Sequence, residues 1–292
     1  MDSSEILKQV RKIEIKTRGL SNDIFAGHYH SAFKGRGMSF SEVREYRPGD
    51  DVRDIDWNVT ARSRSPYVKV YEEERELTMM LLIDVSGSRI FGTGQKTKKD
   101  IIAEIAATLA FSATDNNDKV GCIMFSDRVE RFIPPKKGRS HILMIIRELL
   151  EFAPQNSGTN ISEPIRYLTN VIKKRCTAFV LSDFIETDRH LDELQDAMQI
   201  ASGKHDIIAL QLYDPMDRNL PDVGIIEVED AESGRKTWID TSSDALRRHY
   251  RQSWDERERK LASIFNRSRV DNISFSTEDD YVKALIKLFK SR

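Results

Sequence analysis

The chain has 292 residues, 39% hydrophobic and 32% charged, enough for one large domain, or a medium domain with appendages, around an ordinary buried core. Its 46 basic and 47 acidic side chains leave a net charge of −1, which argues against the basic footprint that non-specific nucleic-acid binding relies on. Only Cys122 and Cys176 are present, both in apolar runs, which argues against a disulfide framework or a thiolate zinc site.

Residues 1–76 read as a mostly irregular N-terminal arm with short strands. They open on MDSSEILKQVRKIEIKTRG, a charged helical start without the apolar h-region of a signal peptide. No window along the chain approaches the ~20 apolar residues that span a bilayer. The expectation is a cytoplasmic protein with no direct membrane insertion. Turn signals stand at Gly35-Arg36-Gly37 and Arg47-Pro48-Gly49-Asp50, and a last short strand is expected over 67–71. His28 and His30 are expected in surface or hydrogen-bonding roles. Asp50, Asp51, Asp54 and Asp56 lack the glycine and terminal glutamate of a Ca²⁺ loop. They read as turn and salt-bridge residues paired with Arg44, Arg47 and Arg53, locking the arm to the core. The sharper alternative is a partner-docking surface that includes Trp57, although Trp57 itself reads as a packing anchor.

Residues 77–213 alternate strand and helix. LTMMLLID (77–84) is a continuous apolar run of the kind found in sheets buried on both faces. A helix follows over 99–113, with Ile101, Ile102, Ile105 and Leu109 at helical spacing. VGCIMF (120–125) is a second strand, 139–152 a second helix and 162–173 a third, with Pro164 harmless in its first turn. TAFVLSD (177–183) is a third strand, 190–201 a helix and DIIALQLY (206–213) a further strand. The pattern predicts an α/β fold: an open, mostly parallel sheet with helices on both faces. Residues 214–292 form a C-terminal extension packing on the core. It comprises a β-hairpin over 224–240 turning at Glu232-Ser233-Gly234, a long charged helix over 243–266, a strand over 270–275 and a closing helix over 279–289. The arginines of the long helix, Arg247, Arg248, Arg251, Arg257 and Arg259, read as a solvated face.

Three loops carry the candidate chemistry. Asp84-Val85-Ser86-Gly87-Ser88 follows the first buried strand directly, and ligands of open α/β sheets bind at the carboxyl ends of strands. Asn156-Ser157-Gly158-Thr159-Asn160 precedes a helix, and Leu181-Ser182-Asp183-Phe184 ends the third buried strand, so both reach the same rim. Together Asp84, Ser86, Ser88, Thr159 and Asp183 offer oxygen ligands, which suit a hard cation such as Mg²⁺. The ordinary alternative is that the aspartates cap turns, Thr159 caps a helix and the serines fill a tight loop.

These five residues match, in order and context, the metal-ion-dependent adhesion site of von Willebrand A domains. FKGRGMSFSEVREYRPGDDVRDIDWNVTARS, followed by VKVYEEERELTMMLLIDVSGS, resembles the bacterial DUF58 family, a domain of unknown function. The likeness extends to LYDPMDRNLPDVGIIEVEDAESGRKTWIDT. The resemblance implies a von Willebrand A-like core holding Mg²⁺ (with Mn²⁺ or Ca²⁺ as alternatives). It also implies a MoxR-type AAA+ ATPase as partner, together with that enzyme's clients. One departure is Arg89, where such domains commonly carry methionine; a guanidinium pointing inward would oppose cation binding.

Two carboxylates and three hydroxyls leave an ion with residual charge for a partner's carboxylate, whereas catalysis needs a second metal, a base or a nucleophile. A phosphatase using Asp84 would want aspartate where Ser86 stands. The spacing of Gly87 and Gly92 lacks the P-loop lysine, having Thr93 instead, and no nucleophile elbow surrounds a serine. Metal-dependent binding without turnover is therefore expected. A Mg²⁺-dependent hydrolase and a metal-free scaffold are the alternatives.

Overall fold

The structure, a computed structural model, describes residues 8, 10–17, 39–63, 65–72, 77–87, 97–156, 158–186, 188–229 and 235–292. The chain divides into two compact units, Phe33–Leu77 and Met1–Ala32 with Thr78–Arg292.

In the smaller unit, β1 (Ser39–Glu45) and β2 (Tyr67–Glu72) form an antiparallel ladder with an irregularity between Phe40 and Glu42. A 3-10 turn at Val52–Asp54 and a one-turn helix at Trp57–Thr60 lie between them. The Asp56 side chain caps that helix by accepting from the Asn58 and Val59 N–H groups, satisfying donors a helix start leaves open. Trp57 opens the helix and is 69% exposed, so the packing role expected for it is corrected. Its position is the reason, because the first residue of a single capped turn is held by the cap and not by burial.

The larger unit begins with α1 (residues 10–17), whose Lys16 pairs with Glu104 at 2.5 Å and lies over the Tyr281 ring. The core strands are β3 (Thr78–Asp84), β4 (Lys119–Phe125), β5 (Val129–Lys136), β6 (Thr177–Ser182), β7 (Asp206–Tyr213) and, after the β8–β9 ribbon of the tail, β10 (Asp271–Ser276). They form one six-stranded sheet in the order β10-β7-β6-β3-β4-β5, parallel except for the β4–β5 edge pair. β3, β4 and β6 are buried almost throughout, as parallel strands covered on both faces must be.

The sequence pattern did not reveal β5, VERFIPPK. Its paired prolines cannot donate to a ladder and are tolerated because the strand lies at the edge. Gly121 in β4 permits the close approach there, since a Cβ would sit 2.6 Å from the Met80 sulfur and 3.0 Å from the Ile133 carbonyl oxygen.

Among the described residues, the helices covering the sheet are α2 (Lys98–Asp115), α3 (Arg139–Glu151), α4 (Ser162–Val171), α5 (Asp188–Lys204) and α6 (Asp244–Ser268), with α7 (Tyr281–Lys290) closing the fold. Side chains alternate between faces along each strand. Met80, Leu82 and Val180 thus share a core with Ile165 of α4, Leu194 of α5 and Phe265 of α6. On the opposite face, Phe179 meets Phe289 of α7 edge-on at 6.2 Å. α2 is buried on nearly every side, which fits a helix apolar all round.

The tail adds the antiparallel ribbon β8 (Ile225–Glu229) and β9 (Lys236–Asp240). Its turn at 232–234 lies outside the described residues. α6 buries Trp254, Leu261, Ile264 and Phe265 and faces solvent with Arg248, Arg251 and Arg259. Arg247 departs from the solvated face expected of it: it donates to the Thr241 carbonyl at 2.6 Å and pairs with Asp222 at 3.1 Å. Among the described residues, no helix is long and apolar enough to cross a membrane.

Candidate functional site

Numbered within the sheet, the strands run in the doubly wound order 3-2-1-4-5-6, so β3 and β6 flank the point where the winding reverses. A crevice opens outside the carboxyl ends of the strands at such a point. Asp84 ends β3, and Asp183 follows the last residue of β6. Topology therefore brings together the two carboxylates that the sequence places at one rim.

Their contacts are specific. One Asp84 oxygen accepts the Ser86 N–H at 2.9 Å, and the other accepts the Ser182 hydroxyl at 2.6 Å. Both residues are nearly inaccessible, at 3% for Asp84 and 5% for Asp183. Burial, and then the charge of Asp183, push Asp84 up to about 6, against the opposing hydrogen bonds from Ser182 and Ser86. Past Asp183 the chain turns sharply: Phe184 sits at φ +55°, a left-handed conformation disfavoured for a bulky side chain. Its N–H donates to the Ser182 hydroxyl at 3.0 Å, and its ring stands edge-on to Phe265 at 5.4 Å. Those two contacts hold the strained turn that presents Asp183.

Thr159 is buried on the neighbouring loop. That loop is tied to the end of β4 by the Asn160 N–H on the Ser126 carbonyl at 3.0 Å, and by Asn156 on both oxygens of Asp127. Just before the helix it is Asn160, not Thr159, whose side-chain oxygen accepts the Ser162 N–H and hydroxyl. Ser88 and Arg89 lie outside the described residues, as do His28, His30, Gly92, Thr93 and residues 35–37.

Four participants were not anticipated from the sequence. Ser182 donates to Asp84, as described. Glu186 accepts the Ile161 N–H at 2.5 Å through one oxygen, while its other oxygen is buried with no partner among the described residues. Burial raises Glu186 to about 8, and the charges of Asp84 and Asp183 push in the same direction. The remaining two are Lys98, the first residue of α2, and Asp217, in the one-turn helix Pro215–Arg218. The Lys98 ammonium is 2% exposed and pairs with Asp183 at 3.0 Å and Asp217 at 2.7 Å. Burial alone would lower Lys98, but the two carboxylates outweigh it and the net direction is up. In the sequence Lys98 was hidden inside KTKKD, a run that reads as solvated surface, whereas Asp217 carried a capping signal in YDPMDR.

Among the described residues, no three His, Cys, Asp or Glu side chains form a metal-ligating group. A cation at this rim would thus be held by two carboxylates and by hydroxyls.

In the smaller unit the acidic residues are bound locally. Arg44 grips Asp50 with two bonds of 2.8 Å, the Arg47 N–H adds a third, and Arg53 pairs with Asp51. Asp56 is occupied by its cap and by Lys69 at 3.7 Å, and Asp54 lies in the 3-10 turn.

The family profile described as a protein of unknown function, DUF58, matches residues 42–260. The chain belongs to the DUF58 family. Uncharacterized proteins from Mycobacterium bovis and Mycobacterium tuberculosis are 27% identical over 296 residues, covering 100% of this chain and 91% of each relative. Among solved structures, an aerotolerance-related membrane protein from Bacteroides fragilis, carrying multiple mutations to serine, superposes with a TM-score of 0.50. It shares 16% identity and covers 74% of this chain and 100% of its own. A von Willebrand factor type A protein from Catenulispora acidiphila is also similar, at 14% identity and TM-score 0.41 over 77% of this chain and 43% of that one. The fold argument rests on the Bacteroides structure and on the strand order. This DUF58 chain has a doubly wound, mostly parallel α/β architecture shared with that structure.

Proposed function

We propose that this protein is a cytoplasmic, non-enzymatic interaction module whose sheet rim holds Mg²⁺ and recognises an acidic side chain of a partner. The observation that carries the reading is the burial of Asp84 near Asp183 at the winding reversal, with Asp84 driven up to about 6 by burial and by the charge of Asp183. Hard divalent cations take oxygen donors, and the donor set fits: Asp84 and Asp183 as carboxylates, with Ser86, Ser88 and Thr159 as hydroxyls. A bound ion would supply a residual positive charge that a partner carboxylate can fill. The chain's own residues do the rest: Ser182 and the Ser86 N–H fix the Asp84 carboxylate, and the Phe184 turn fixes Asp183.

The family resemblance supports a MoxR-type AAA+ ATPase as the partner, with this protein as adaptor or co-chaperone toward its clients. Co-precipitation with the MoxR-type ATPase of the same genome, in Mg²⁺ or EDTA, tests the reading on wild type and Asp84→Ala. Capture that requires both the metal and Asp84 supports it. Equal capture in all four conditions overturns the rim as the interface.

A further inference from the structure

Lysine at the first position of a helix needs a reason, because the amino end of the macrodipole is positive and disfavours a cation there. α2 already has its cap: the Thr97 hydroxyl accepts the Asp100 N–H and the Asp100 carboxylate accepts the Thr97 N–H across the first turn. Lys98 contributes nothing to that cap. Its side chain instead runs into the protein interior, where burying an ammonium is costly unless it is paired. The pairing is twofold, with Asp183 on the rim and Asp217 from the extension beyond β7.

Charge counting gives this arrangement a consequence. Asp84, Asp183 and Asp217 carry three negative charges when ionised, and Lys98 returns one, leaving two for a single divalent ion. Geometry points the same way. Lys98 occupies one oxygen of Asp183, and the Ile185 N–H lies on the other at 3.2 Å. An ionised carboxylate offers about four acceptor positions, so Asp183 retains capacity for a cation but shares it with the ammonium. Asp217 holds the same ammonium at 2.7 Å.

We propose that Lys98 is a tethered cation that sets the affinity of the rim for a divalent ion, with Asp217 as the counter-charge that restrains it. This rests on the metal-binding reading above. Two substitutions should act in opposite directions. Lys98→Met removes a competing positive charge and frees an Asp183 oxygen, so affinity rises. Asp217→Asn leaves the ammonium to Asp183 alone, so affinity falls.

The experiment is a Mn²⁺ titration of the full chain at fixed pH and salt, with free Mn²⁺ read by electron paramagnetic resonance. Circular dichroism checks the fold of each variant, and Asp84→Ala serves as the null control. The expected result is binding at least tenfold tighter for Lys98→Met and at least threefold weaker for Asp217→Asn. Shifts in one common direction, or none in either variant while wild type binds, overturn the role of Lys98 and leave the metal reading standing. If Lys98→Met does not fold, Asp217→Asn decides alone: weaker binding supports the proposal, and unchanged or tighter binding overturns it. No Mn²⁺ binding by wild type or any variant up to millimolar concentration overturns both readings together.

Discussion

Asp50, Asp51 and Asp56 in the smaller unit and Asp84 at the sheet rim carry the same side chain, and the structure treats them in opposite ways. The first three are met by donors from their own neighbourhood. The Arg44 guanidinium holds Asp50 below its ordinary range, Arg53 does so for Asp51, and the Val59 and Asn58 N–H groups, against opposing burial, do so for Asp56. Asp84 has only neutral hydrogen-bond donors, from Ser182 and Ser86, and a like charge beside it, and burial drives it up. An acidic cluster that supplies its own cations is a structural device. A buried acidic pair with a charge deficit is ready for something from outside. Nearby arginines in the sequence already marked the first group as salt-bridge residues, and Arg44 and Arg53 do pair there, whereas the surroundings of Asp84 are set by residues that arrive only in space.

The largest expected effect that sharpens this contrast comes from Lys98. Lys98→Met leaves Asp183 and Asp217 buried without their shared ammonium, and removal of one partner of a buried ion pair costs about 3–5 kcal/mol. Denaturant unfolding in EDTA reads this directly, and added Mg²⁺ should recover part of the loss. A loss indistinguishable from zero would mean the ammonium is hydrated and not paired.

Asp84→Asn should move stability the other way. Displacement of a carboxyl from 3.8 to about 6 corresponds to about 3 kcal/mol of unfavourable interaction in the ionised form. Loss of one accepted hydrogen bond returns about 1 kcal/mol of that. The variant should therefore be about 1–2 kcal/mol more stable than wild type at pH 7 in EDTA and should gain nothing from Mg²⁺. A destabilised variant would break the contrast between the two acidic groups.

A carboxyl-detected NMR titration places both on one axis, with Asp50 titrating below its ordinary value and Asp84 at about 6. The sign for Asp50 follows from its depressed value. Its stabilising contribution is complete above the unfolded carboxylate pKa of about 4 and is lost as the pH falls through the folded value. The smallest effect is expected for Asp50→Asn, which should leave the melting temperature within error of wild type at physiological salt. Its ion pair lies at the surface, only partly buried, where salt screens it. A clear drop would show that the smaller unit depends on that pair more than surface pairs usually allow.

Much of the larger unit was legible because its strands are long apolar runs between turn signals, and the ends of β3 and β6 fix where Asp84 and Asp183 emerge. β5 escaped notice because proline penalises a central strand but not an edge. Trp57 misled because an aromatic beside charges reads as an anchor, while its place at the head of one capped turn leaves it in solvent. Lys98 and Asp217 were illegible for a different reason. They are 119 positions apart, and neither has a local pattern that names the other. Glu186 lies close in sequence to Asp183, and only the loop bearing Ile161 reveals what one of its oxygens is for.

Gln211 gives the rim a mechanical connection. Its side-chain amide donates to the Asp183 carbonyl at 3.3 Å and to Glu258 at 2.7 Å, so one residue of β7 spans the rim and α6. α6 runs for 25 residues, about 37 Å of rigid rod. Glu258 stands past its middle, leaving about 21 Å between that fulcrum and the Asp244 end. A tilt of about 5° at the Gln211 link would swing that far end by about 2 Å, roughly one residue of rise along the rod. Any tilt at that link would thus be felt most at the Asp244 end of the rod.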